Sequence, residues 1–409
     1  MSVGIERLHA YLPSWALPVD ALACARRLDT AEVAAAVGTR DLAVAPPWDD
    51  TVTMAATAAA RLLREAQVAP GDIGLLVVGT ANVTDAEQAS AVLVHELLGI
   101  HATCRAFDVR HGAYAGTAAL LVAADWIRAA RGRARRALVV AADLPCPPPG
   151  TLAECASGAA AVAMLVGTEP RALLLEDESG MWVRAARDAC HAPGDVSAVR
   201  DEAALRSAWL DAVAGAFGAF RSLEHPEPVG EEVVTDRLAR ILLQLPRPAL
   251  ARAGHRRLLE ADWRANDRRW ALEEPRLERA LAAAFAEQIE PTLAVGLSVG
   301  DTGAANLWLA LAALLEAEGR RLGGRRLGLC AWGAGDGAEF FTGLVPATVG
   351  QVADAGVTRA LAARRTIDVA VYEAARAARG TGGEPTAGAA GDFAFVGERG
   401  GRRQYVRVA

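Results

Sequence analysis

The chain is expected to fold in the α/β class, and three observations carry that expectation. Short apolar runs alternate with amphipathic helical stretches. Gly, Pro and polar clusters punctuate them at spacings that suit strands and helices. One strand–turn–helix–strand phrase also occurs twice along the chain. With 409 residues, 52% of them hydrophobic, the chain can build two ordinary domains or one large duplicated one.

In the first half, "IGLLVVGT" (73–80) is an uninterrupted apolar run of strand length, and "AEQASAVLVHELLG" (86–99) reads as a helix stopped by Gly99. "CRAFDV" supplies a strand, "RHGAYAG" a turn of small residues, and "TAALLVAADWIRAARG" a helix. The strand "RALVVAAD" and a strand pair around "GAAAVAMLVG" follow. In the second half, "VTDRLARILLQLPRP" holds a strand near 240. "TLAVGLSVGDTGAANLWLALAALLEAEGRR" reads as strand, glycine turn and helix, and "RLGLCAWGAGDGAEFFTGLVP" as two strands about a glycine loop. The repeat is closest where "GAYAGTAALLVAADWIRAARGRARRALVVAAD" lies over "GDTGAANLWLALAALLEAEGRRLGGRRLGLCAW"; the competing explanation is chance likeness between two alanine-rich helices. The expected division is an N-terminal half at 1–170, a C-terminal half at 171–348 with an insertion at 171–235, and an extension at 349–409. The insertion carries the helix "DEAALRSAWLDAVAGAFGAF". The extension carries a surface loop "GTGGEPTAGAAG" and a closing hairpin "FAFVGERGGRRQYVRV".

A net charge of -6 without a long basic run gives no electrostatic footprint for nucleic acid or a membrane surface, which leaves small molecules or proteins as partners. The opening "MSVGIERLHAYLPSW" lacks a signal-peptide pattern, and no apolar stretch reaches spanning length before Gly, Pro or charge breaks it, so a cytoplasmic protein is expected. The cysteines Cys24, Cys104, Cys146, Cys155, Cys190 and Cys330 are scattered without metal-ligand spacing, so no metal site and no disulfide framework is expected.

The ordered blocks "VVGTANVTDAEQASAVLVHELLGI", "CRAFDVRHGAYAGTAAL", "ECASGAAAVAMLVG", "LPRPALARAGHRRL", "VGDTGAANLWLALAALL", "GAGDGAEFFTG" and "RRQYVRV" give the chain a resemblance to the thiolase superfamily. More narrowly it resembles 3-hydroxy-3-methylglutaryl-CoA synthase, in the bacterial branch that serves polyketide β-branching. The resemblance implies a duplicated thiolase fold of five layers, αβαβα. It implies a ping-pong reaction in which a cysteine at a buried helix N-terminus takes an acetyl group. A glutamate then removes a methyl proton, and a histidine polarises the ketone of the second thioester.

The same resemblance sets Ala113 at the cysteine position of "CYxGT", Ala81 at the glutamate position after "GT", and Gln244 at the histidine position of "FHxPF". Asp301 stands where asparagine is usual. A methyl group cannot form a thioester, and removal of such a nucleophile leaves roughly 10³ to 10⁴ of residual acceleration over water. Backbone donors of the turn are not lost with the side chain, so a reaction needing only positioning and polarisation survives.

The remaining candidates are Asp301, His111 and Gln244 for chemistry, and Ala81, Ala113, Tyr114, Gly116, Asp336, Arg252 and Arg256 for substrate binding. Each has a plain alternative. Asp301 suits an N-cap, His111 packing behind the turn, Asp336 and Asp85 solvated turns, and the arginines a charged helix face. Gln244 suits orientation, because an amide does not carry a proton near neutral pH.

Two functions of different class follow. One is a protein of the acyltransferase or condensing type that uses acyl-CoA or acyl carrier protein without a covalent intermediate. The other is an inactive homologue that scaffolds or pairs with an active synthase. No resident cofactor is expected, since CoA or phosphopantetheine arrives as the substrate carrier. The resemblance also implies pairing of "CRAFDV" across a two-fold, in a homodimer or in a heterodimer with an active homologue.

Overall fold

The computed structural model describes residues 2–82, 84–129, 136–186, 189–190, 199–224, 233–266, 268–335, 337–385 and 391–408. Its main element is a nine-stranded sheet in the order Arg240–Leu243, Arg326–Gly333, Gly337–Leu344, Leu173–Val183, Gly4–Tyr11, Ala160–Gly167, Arg136–Asp143, Ile73–Gly79, Arg105–Val109. The two halves of that order run alike. Arg240–Leu243 is parallel to Arg326–Gly333 and Ile73–Gly79 to Arg136–Asp143, and each pair continues into two antiparallel neighbours. The halves meet where Gly4 and Ile5 face Leu174 and Leu173.

Five layers result, and the strand sequences show why. Ile73–Gly79 is apolar on both faces. Leu75 and Val77 join the central core, whereas Leu76 and Val78 join an outer core with helices Thr51–Ala66 and Ser90–Leu98. The central layer holds helices Ala115–Ala129 and Asn306–Leu322, whose Ala119, Ala123, Trp308 and Leu311 are buried between the half-sheets. On the far side, Glu202–Glu224 and Ala251–Asn266 cover the second half-sheet, with Phe217 and Phe220 packed on Phe340. This is the αβαβα arrangement. Strands Arg136–Asp143 and Arg326–Gly333 occupy matching places after the two central helices, as the repeated phrase requires.

Two expectations need correction. The strand foreseen before the second glycine turn is a short helix, Gly296–Val299, after a single 3-10 turn at Glu290–Thr292. Val295 and Val299, four residues apart, both enter the central core, so helical spacing overrides the β-propensity of the run. The 171–235 region is no mere insertion. It supplies the strand Leu173–Val183, which pairs with both Gly4–Tyr11 and Gly337–Leu344, and the covering helix Glu202–Glu224. The closing hairpin forms as expected, Phe393–Arg399 against Arg402–Arg407, and is tied to the outer layer by Arg61 and Arg64 on Asp392. Among the described residues no helix is long and apolar enough to cross a membrane.

Candidate active site

The ends of the two central helices build the site. The 111–114 turn leads into Ala115–Ala129, and Gly303–Ala305 leads into Asn306–Leu322, so two helix N-termini open on one region. Close backbone approach holds them there. A Cβ on Gly116 would lie 2.3 Å from the carbonyl oxygen of Ala304, and one on Gly333 would lie 2.5 Å from that of His111. Glycine is required at both places by contact with the opposite half.

Asp143 joins the same parts by hydrogen bonds. Its Oδ1 accepts from the Thr80 hydroxyl (2.7 Å) and from the amides of Ala81 (2.8 Å) and Asn82 (3.3 Å), and its Oδ2 accepts from the Ala304 amide (2.7 Å). Burial outweighs these bonds and lifts its carboxyl to about 6. One side chain thus holds the turn bearing Ala81 against the entry to the second central helix. It was not singled out from sequence, although a carboxylate ending the apolar run "ALVVAAD" was the available signal.

Ala113 is half-buried and Ala81 exposed. His111 is half-buried, edge-on to Tyr114 at 5.4 Å between ring centres, and packed against the backbone at Gly337. Tyr114 donates to Glu339 Oε2 at 2.5 Å, and burial together with that carboxylate holds its hydroxyl well above the usual phenol range. Glu339 is a second residue the sequence reading missed, because its partner lies 225 positions away.

Gln244 is buried, at 2% exposure, and its amide orientation is determined by its partner. Nε2 donates to the carbonyl of Gly303 at 2.8 Å, which leaves Oε1 without a hydrogen-bond partner among the described residues. Asp301 accepts at Oδ1 from the Gly303 amide (3.0 Å) and from Asn306 Nδ2 (3.3 Å), which is the geometry of a cap on the turn into the second central helix. Gln244, Asp301 and Asp143 therefore converge on residues 303–304.

The other candidates lie elsewhere. Asp336 lies outside the described residues. Arg252 and Arg256 are exposed on the outer helix Ala251–Asn266; Arg252 stacks over Phe285 and Arg256 pairs with Glu278 at 2.6 Å. His255, between them, is buried and neutral. Gln288 gives its amide protons to Thr235 and Leu238 carbonyls, so its Oε1 accepts from His255 Nε2, and burial lowers the imidazole to about 4. Asp85 is exposed and caps the amides of Glu87 and Gln88, which lower its carboxyl. Cys155 and Cys330 are buried, and desolvation raises their thiols to about 11 and about 12. Neither suits nucleophilic use. Among the described residues no group of three or more His, Cys, Asp or Glu is placed to hold a metal ion.

The family model described as hydroxymethylglutaryl-coenzyme A synthase N terminal matches residues 1–171. The chain is 30% identical over 376 residues to the hydroxymethylglutaryl-CoA synthase of Enterococcus faecalis, covering 91% of each. It is 27% identical to the polyketide biosynthesis 3-hydroxy-3-methylglutaryl-ACP synthase PksG of Bacillus subtilis, covering 84% of this chain and 80% of that one. Among solved structures, MvaS in complex with 3-hydroxy-3-methylglutaryl coenzyme A superposes with a TM-score of 0.92 at 34% identity, covering 99% of both chains. The curacin pathway HMG synthase superposes at 0.86 over the full length of both chains, at 24% identity. From the convergence of the two helix N-termini in a five-layer fold and from these full-length likenesses, the chain belongs to the hydroxymethylglutaryl-CoA synthase family.

Proposed function

We propose that this chain is an atypical member of the family that binds acyl-CoA or acyl-carrier-protein thioesters in polyketide-type secondary metabolism and handles them without an enzyme-bound acyl group. Ala113 carries the reading, since it is the residue at the tip of the turn that enters the first central helix. The thioester carbonyl meets helix N-terminal amides there, and the step is direct attack by a bound acceptor with departure of the carrier thiol, or a decarboxylation. The resemblance sets the family's glutamate and histidine at Ala81 and Gln244, and this goes with the reading, because direct attack needs no removal of a methyl proton, and a decarboxylation makes its carbanion by loss of CO2 and takes the proton back from water. A relative named for an acyl-carrier-protein substrate and another solved with a CoA thioester support the substrate class. A cytoplasmic setting fits the cysteines, five of which are free thiols among the described residues.

A second reading, an inactive partner of an active homologue, is favoured by Gln244, whose only side-chain hydrogen bond among the described residues is internal. The strand Arg105–Val109 also ends the sheet with half-exposed residues, an edge suited to pairing with another copy or with the homologue.

Intact-protein mass spectrometry with acetyl-, malonyl- and acetoacetyl thioesters, read with substrate loss, separates these. Thioester loss without an adduct is expected. Complete inertness favours the partner role, and an acetyl adduct released by hydroxylamine overturns both.

A further inference from the structure

The closing hairpin, Phe393–Arg399 with Arg402–Arg407, is a two-stranded sheet of its own, outside the nine-stranded one. It can leave the body without breaking a rung of the main sheet. Its attachment is largely polar. The Phe395 amide donates to the Trp48 carbonyl at 2.8 Å. Arg403 Nη2 and the Tyr405 hydroxyl donate to Asp50 Oδ2 at 3.2 and 2.9 Å. Asp392, just before the hairpin, pairs with Arg61 at 2.8 Å and Arg64 at 3.3 Å. Phe393, Ala394 and Phe395 supply the buried apolar part.

The hairpin and the residues entering it cover a carboxyl that is poorly provided for. Asp49 is 5% exposed and accepts from the Tyr11 hydroxyl at Oδ2 (2.6 Å), while its Oδ1 is shut off from water and has no partner among the described residues. A Cβ on Gly391 would lie 3.3 Å from that hydroxyl and 3.4 Å from the Thr57 hydroxyl, so this segment lies directly over the Tyr11–Asp49 bond. The surrounding charges do little for an anion there. Asp50 is the next residue, Arg61 of helix Thr51–Ala66 is shared with Asp392, and Arg403 is spent on Asp50. Arg379 and Cys146 line the neighbouring cavity, and Arg379 gives Nη1 to the Pro145 carbonyl.

We infer that the C-terminal hairpin is a pH-sensitive cover, which docks while Asp49 keeps its proton and loosens once that carboxyl ionises. Burial lifts Asp49 to about 7 from an ordinary 3.8, and undocking hydrates it and returns it toward the ordinary value. The docked form thus holds a proton that the undocked form releases, and docking weakens as pH rises from about 4 to about 7. Tyr11 and Tyr405 do not titrate in this window, since burial holds both well above the usual phenol range. Phe395 and Arg403 also wall a cavity of about 270 Å³ beside the 80–82 turn, so undocking opens it. The cover stands apart from the thioester reading, which neither requires it nor depends on it.

Hydrogen exchange of the whole chain at pH 5 and pH 8 tests this, read as protection factors so that the intrinsic pH effect is divided out. Hairpin amides are expected to be less protected than those of the central strand Ala160–Gly167, because an undocked two-stranded hairpin holds its own bonds only marginally. Their protection is expected to fall by about tenfold or more between the two pH values. In Asp49→Asn, neutral at both, the fall is expected to shrink below about threefold. Tyr11→Phe removes the donor that steadies the anion and is expected to enlarge the fall, and it carries the test if Asp49→Asn does not fold. Hairpin protection equal to that of the central strand would mean no separate opening. A fall unchanged in either variant would put the titration elsewhere, and each of these results overturns the inference.

Discussion

Ala113 presents a methyl group where two helix N-termini converge, and its surroundings are fixed by side chains that do not touch it. If the turn keeps the geometry that Gly116 and Gly333 impose, Ala113→Cys places a thiol at a helix N-terminus, where its pKa falls and thiolate forms. Incubation with acetyl-CoA then yields a protein heavier by one acetyl group in an intact-mass measurement. No adduct on a folded variant counts against the geometry described for the turn. At Asp143, Asn replaces one acceptor oxygen by a donor, so the amide group faces either the Ala81 or the Ala304 N–H. Asp143→Asn is expected to cost about 2–3 kcal/mol in urea unfolding. The turns that hold Ala113 and Ala81 were legible because small residues and glycine mark them locally. Asp143 was not, because its meaning depends on Ala304, 161 residues later.

Elements carry their own constraints. Gly116 lies inside a central helix and against the opposing turn, so Gly116→Ala forces a backbone shift and is expected to destabilise by roughly 3 kcal/mol or more. Gly218, in helix Glu202–Glu224, meets nothing within 4 Å, and Gly218→Ala is expected to stabilise by about 1 kcal/mol. Urea midpoints of the pair check the contrast, and a loss in both cases would show that the clash is not the cause. At the sheet edge, Phe107 of Arg105–Val109 is only partly buried. If this strand pairs two copies, Phe107→Asp converts a dimer to a monomer in light scattering, and a wild-type chain that already runs as a monomer removes the pairing. The strands and central helices were legible because runs such as "RALVVAAD" are apolar on both faces and bounded by charge or glycine. The 292–299 segment was misread because valines four residues apart serve a helix as well as a strand.

Across the whole molecule, buried titratable groups set how stability responds to pH. Burial raises Asp49 to about 7 and Asp143 to about 6 from an ordinary 3.8. Between about pH 4 and 7 the folded chain therefore holds more protons than the unfolded one, and the stability from these acids falls as pH rises. His255, lowered to about 4 from 6.5, acts in the opposite sense, its contribution falling as pH drops through that window. Asp49→Asn removes the larger acid effect. The stability of the variant relative to wild type is expected to be roughly 3 kcal/mol more favourable near pH 8 than near pH 5 in urea unfolding. An equal difference at both pH values would place Asp49 in an ordinary solvated state.

The sequence by itself determined the α/β class, the duplicated unit, the family resemblance and the identity of the residues at the two turns. Periodicity, glycine punctuation and ordered motifs are local properties that survive in one dimension. Tertiary structure alone decided that Asp143 joins the two halves, that His255 is neutral and buried, that Arg256 is already paired, and that Asp49 lies buried under the C-terminal segment. Each of these depends on burial and on partners far apart in the chain, and solvation and hydrogen-bond geometry are set only when those distant segments meet.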